Sequence, residues 1–135
     1  MISLTLPIYY TQHFKTKKDK TFLVNLNWYR NAMFHQQNKV KQHYHDLIKQ
    51  QLENKSEPIA KKFAVSINLY HKNNQSDPSN ICPMMEKFTL DALQELNLIV
   101  NDNSKYHCST SWFSIEQDKL NPRVEITISP VFNSN

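Results

Sequence analysis

Apolar and polar residues alternate along three stretches of this chain and recur at helical spacing along two others. Ile2, Leu4 and Leu6 alternate with Ser3 and Thr5, which predicts an amino-terminal strand ended by Pro7. Phe63, Val65, Ile67 and Leu69 alternate strictly with Ala64, Ser66, Asn68 and Tyr70, the clearest strand pattern in the sequence. Val124, Ile126 and Ile128 alternate in a last strand, Tyr106–Ser114 reads as another, and Leu98–Val100 reads as a short buried one. Val40, Tyr44, Leu47 and Ile48 recur at helical spacing within Asn31–Leu52, which Glu53–Pro58 ends. Ile81, Met85, Phe88, Ala92 and Leu96 form the apolar stripe of a second helix running to about Asn97. Residues 9–24 are less patterned: the segment TKKDK looks like a loop or hairpin tip ahead of the apolar run Phe22–Val24. Asn25–Asn27 then reads as a turn or helix start. The order predicts one α+β domain over residues 1–135, a mixed sheet packed by two helices.

Composition changes this picture in two ways. The chain has no glycine, so turns must use Asn, Asp, Ser or Pro, and Asn is the residue best able to replace glycine at a positive φ. The absence of glycine also excludes a phosphate-binding P-loop or a dinucleotide fingerprint, so no nucleotide cofactor is expected. The formal charge is +4. Lysines gather at Lys15, Lys17, Lys18 and Lys20, at Lys39 and Lys41, and at Lys61 and Lys62, with Arg30 between the first two groups. Such a balance suits a polyanion partner and equally suits a solvated surface. Cys82 and Cys108 lack a CxxC spacing and read as reduced thiols. No apolar run approaches the roughly 18 residues needed to span a bilayer, so no membrane partner is expected and a cytoplasmic location is.

Candidate chemistry concentrates in Ser76–Lys105, where Asp77 follows a predicted strand, Asp91 sits inside a predicted helix and Asp102 lies just after a short apolar run. Mg²⁺ takes oxygen ligands and needs only one or two carboxylates, so such residues can serve one hard cation in a phosphodiester-cleaving enzyme. Asn80, Met84, Lys87 and Asp91 are spaced by four, three and four and share one helical face, away from the core stripe. Pro83 belongs in a first turn, which makes Asn80 the expected N-cap. Five extended residues from Leu98 cover roughly 17 Å. The ten helical residues from Lys87 to Asn97 cover roughly 15 Å, so Asp102 is expected near the level of Lys87. Asp77 joins them only if the loop before the helix folds back. The same residues also suit caps, turns and a surface Lys87–Asp91 pair.

In order and spacing, Asp77, Asn80, Lys87, Asp91-Ala92-Leu93, Leu98-Ile99 and Asn101-Asp102 resemble the RusA family of Holliday-junction resolvases of bacterial prophages and phages. Asn27-Trp28-Tyr29-Arg30 is similar to that family's amino-terminal Asn–aromatic–Arg segment, and Pro122-Arg123-Val124-Glu125-Ile126 to its last strand. The resemblance implies a RusA-like homodimer that cuts four-way (branched) DNA junctions by paired symmetric nicks. Mg²⁺ would be the cofactor, with Mn²⁺ as a substitute. It implies Asp77, Lys87 and Asp102 as catalytic residues and Asp77, Asp91 and Asp102 as metal ligands. Asn27, Arg30, Lys39, Lys41 and Asn80 would contact DNA. Phe14 or Trp28 is a candidate wedge for the junction centre, each competing with a role in core packing. Three departures stand out. Ser79 takes the place of a second acidic residue, Asn101 that of the first acid of a pair, and about four extra residues separate Asn80 from Lys87. They keep two further readings open: a junction-binding dimer without cleavage, and a non-enzymatic interaction protein. His35, His43, His45, His71 and His107 show no zinc spacing and read as structural or surface residues.

Overall fold

The computed structural model describes residues 1–53, 56–74 and 76–132. Four strands form a mixed sheet: β1 (Ile2–Pro7), β4 (Phe63–His71), β5 (His107–Gln117) and β6 (Arg123–Pro130). Their order across the sheet is β1-β6-β4-β5, with β4 and β5 parallel and the other pairs antiparallel. A separate hairpin pairs β2 (Tyr9–Gln12) with β3 (Lys20–Leu23). The lysine-rich segment therefore is a hairpin tip, one of the two expected forms.

The period-two pattern fixes the register. Leu4 faces Ile126, which faces Ile67, and Ile2, Ile128 and Val65 form the next row. One face of these three strands is thus wholly apolar, while Ser3, Thr5, Ser66, Asn68 and Thr127 take the other. Shifting any strand by one residue would turn its apolar set to water.

Among the described residues three helices, one more than expected, accompany the sheet: α1 (Leu26–Asn31), α2 (Phe34–Leu52) and α3 (Pro78–Glu95). α2 is the helix expected over Asn31–Leu52, starting three residues later, and α1 precedes it where a turn or helix start was expected, with the Ala32–Met33 corner between them. Asn25 caps α1 by accepting from the Trp28 N–H at 2.8 Å. α1 buries no residue fully, and aromatic contacts hold it instead. Trp28 stacks on Phe22 of the hairpin at 5.4 Å, and its ring lies 6.4 Å from that of Phe88 of α3. Trp28 Nε1 also donates to Gln36 of α2, whose amide donates to Gln12 of β2. Trp28 is a structural pin, which leaves Phe14, in the hairpin tip beneath Lys17, as the aromatic outside this network.

α3 forms the crossover between the parallel strands β4 and β5, and it is buried on more than one face. Ile81, Met85, Phe88 and Ala92 are buried as expected, but so are Met84, Leu90 and Thr89. Met84 was expected on the outer face; α1 and α2 cover that side of the helix, so it lies inside. α3 ends in a Schellman motif: Leu98 N–H donates to Leu93 O and Asn97 N–H to Gln94 O. Asn97 takes the left-handed position there at φ 60°. Leu98–Val100 is not a strand. Only Ile99 pairs, in a single parallel bridge with Ile59, because the chain must turn at once toward β5.

Candidate functional site

The start of α3 differs from the expected one. Its N-cap is Asp77, not Asn80, and Pro78 occupies the first helical position, where proline's missing N–H costs nothing. The Asp77 carboxylate accepts from the Ser79 N–H at 3.0 Å and from the Ser79 hydroxyl at 2.7 Å. Pro83 consequently lies beyond the first turn, and Asn80 lies inside the helix. Lys87 follows Asp77 by ten residues and Asp91 follows it by fourteen. At 1.5 Å per residue that separates the Asp77 and Asp91 backbones by about 21 Å along one helix. These two carboxylates cannot hold the same cation, so the expected set of Asp77, Asp91 and Asp102 does not fit a single Mg²⁺ site. Among the described residues no group of three or more His, Cys, Asp and Glu side chains is close enough to do so.

Asp102 is exposed in the turn that leads into β5. Asparagines shape that turn. Asn101 Oδ1 accepts from the Asn103 N–H, Asn103 Oδ1 from the Lys105 N–H, and the Asn103 carbonyl from Tyr106 and His107.

The structure does gather other predicted residues. Lys87 Nζ lies 3.4 Å from Asp91 Oδ2, one turn apart on α3. Lys41 of α2 reaches the same oxygen at 3.7 Å and Glu95 at 3.5 Å. His45 Nδ1 lies 2.9 Å from the other oxygen of Glu95. Asp91 is thus a shared anion between two ammonium groups. A cavity of about 320 Å³ opens beside it, lined by α1, α2 and α3 through Tyr29, Phe34, Gln37, Lys41, Lys87 and Asp91, among others. Asn27 and Arg30 lie exposed on α1, and Lys39 lies exposed on α2. Asn27 is tied locally, since the Asn31 amide donates to its carbonyl at 2.8 Å.

A second polar group escaped sequence reasoning. Glu86 Oε1 of α3 accepts from the Thr110 hydroxyl of β5 at 2.8 Å and lies 3.4 Å from His107 Nε2. His107 in turn stacks on Phe63 at 5.4 Å. Burial, reinforced by the negative charge of Glu86, pushes the neighbouring Cys82 thiol up to about 12. Only the i, i+4 spacing of Cys82 and Glu86 hinted that a carboxylate faces the sheet here.

No protein-family model matches the chain, and no curated protein matches it in sequence. No helix among the described residues is long and apolar enough to cross a membrane.

Proposed function

We propose that the protein acts on branched DNA as a RusA-type homodimer, resolving four-way junctions by paired nicks with Mg²⁺ as cofactor, held through one or two carboxylates and not by Asp77, Asp91 and Asp102 together. The observation that supports the DNA reading is the aromatic-lined cavity between α1, α2 and α3, whose two lysines are exposed though shared with Asp91 and Glu95. There Lys41 and Lys87 bracket Asp91, while Arg30 on α1 and Lys39, on the other side of α2 from Lys41, add exposed positive charge elsewhere on the surface. Lysines and arginines bind phosphates without reading sequence, which suits recognition by shape. The hairpin tip adds Lys15, Lys17 and Lys18 around Phe14 and supplies the candidate wedge.

The dimer has support in β5, an edge strand of the sheet. Trp112, Phe113 and Ile115 are 38%, 55% and 47% exposed on it, and His107–Gln117 carries no lysine to blunt the edge. A two-fold pair through this edge would place two identical cavities on a two-fold symmetric junction.

Junction binding without cleavage is the second reading. Asp77 favours it, because its carboxylate is spent on capping α3 and stands far from Lys87 and Asp91. One experiment separates the readings. Purified protein is incubated with a synthetic four-way junction and with linear duplex of the same sequence, with and without Mg²⁺ or Mn²⁺, beside an Asp102→Asn control. Paired nicks on the junction alone, lost without metal and in the control, establish resolution. Tight junction binding with no cut under any metal establishes the second reading. Equal, weak binding to both DNAs removes the junction from either.

A further inference from the structure

The cavity between α1, α2 and α3 has more chemistry than phosphate binding needs. Phe34, the first residue of α2, is 77% exposed at its rim, a large cost in water for a helix start that makes no side-chain cap. Tyr29 provides a second ring in the lining. The lining also carries Lys41 and Lys87, two ammonium groups with three donors each, Lys87 set against Asp91 Oδ2 and Lys41 against that oxygen and Glu95 Oε1. Each lysine therefore keeps donors for an incoming anion.

Gln37 adds direction. Its side-chain nitrogen donates to the Tyr29 carbonyl at 2.6 Å. That carbonyl can only accept, so the amide orientation is fixed and Oε1 is left as the group Gln37 offers. The cavity thus presents aromatic rings, the oriented Gln37 acceptor and two lysines beside the Asp91 carboxylate, within about 320 Å³. That volume is at the lower end of the range of small-molecule sites.

We propose that this cavity receives one unpaired nucleotide of a DNA strand. The base stacks on Phe34 and Tyr29, one of its N–H groups donates to Gln37 Oε1, and the phosphate rests on Lys87 and Lys41. Every base offers this acceptor a donor, an exocyclic amine or, in thymine, the N3–H, so the site takes an unpaired base without a strong choice among the four. The inference rests on the reading that the protein acts on DNA. It adds that the protein takes a displaced base as well as backbone.

The test uses three probes with the full chain: a four-way junction, a fully paired duplex, and the same duplex with a single bulged 2-aminopurine. Binding is followed by anisotropy and by 2-aminopurine fluorescence. The wild type is expected to bind the bulged duplex more tightly than the paired one and to quench the 2-aminopurine. Phe34→Ala should lose about tenfold on the bulged duplex, the scale of one base–aromatic stack, and leave the paired duplex unchanged. Phe34→Tyr should restore it. Because Phe34 is exposed, its replacement leaves the core untouched. If Phe34→Ala weakens all three probes equally, or none, the nucleotide site is overturned while the DNA reading stands. If the wild type binds no probe, both fall together.

Discussion

Lys41 on α2 and Asp91 on α3 meet at 3.7 Å across the seam between the two helices. Lys87 reaches the same carboxylate oxygen from one turn earlier, so a single anion ties two helices and a local pair. The Asp91 side chain is only 21% exposed, whereas Lys41 is 42% exposed. Solvent therefore screens the pair, and a double-mutant cycle of Lys41→Ala and Asp91→Ala in urea unfolding should give a coupling of about 0.5 kcal/mol. The coupling should shrink in 1 M salt, where the screening length falls to about 3 Å.

Asp77 separates a structural from a catalytic role. Asp77→Ala removes the cap of α3 and should cost about 1 kcal/mol in stability. Asp77→Asn keeps an acceptor for Ser79 and should cost little. If Asp77→Asn retains both stability and junction cleavage, the carboxylate serves only the helix. A loss of cleavage with stability intact would return it to the chemistry.

The two cysteines should differ in reactivity. Cys108 is exposed, and Cys82 is buried with its thiol pushed up to about 12. At pH 8 a thiol reagent should modify Cys108 quickly and Cys82 only after denaturation. Two equally fast thiols in the native protein would contradict the packing of α3 against β5.

His43 sets a mild acid sensitivity. Burial lowers its pKa below the usual 6.5, with Asp46 partly opposing the shift. The unfolded chain therefore binds more protons between about pH 6.5 and the folded value. Stability contributed by neutral His43 is present above that window and is lost as pH falls through it. Denaturation midpoints of His43→Gln should fall less than those of the wild type between pH 7 and 5.

The edge strand gives a test of assembly. Phe113→Lys with Ile115→Lys places charge on β5 and should convert a dimer to a monomer in sedimentation equilibrium, without change in secondary structure. A wild-type chain that sediments as a monomer at tens of micromolar would remove the homodimer.

Much of the sheet was legible because a period of two admits one register once one face is apolar. β1, β4 and β6 follow it, whereas β5 runs three residues past its expected end because Ile115, Glu116 and Gln117 are exposed and show no alternation. The start of α3 was misread because Asp77 and Asn80 are both cap-forming and three residues apart. Pro78 was the available signal, since proline at a first helical position points to the residue before it. α1 was legible only as a turn or helix start at Asn25–Asn27, because six residues with no buried side chain leave no stripe. The site was legible only where partners share a helix, as Lys87 and Asp91 do. Lys41 with Asp91, and Glu86 with Thr110, are made by packing between elements and leave no spacing in the chain.

Asn97, held at φ 60° at the end of α3, also bears on the unfolded state. A chain without glycine has no residue of unrestricted backbone to order when it folds. Each glycine replaced at a compatible site stabilises a fold by about 0.4–1 kcal/mol, through the disorder that the unfolded chain no longer has. Asn97 carries the opposite charge on that account, a left-handed conformation costing of order 1 kcal/mol. Asn97→Gly would relieve the local conformation and loosen the unfolded ensemble, two effects of similar size and opposite sign. The protein therefore meets the conformational demands of folding partly before folding begins, in the narrowness of the states its backbone can visit.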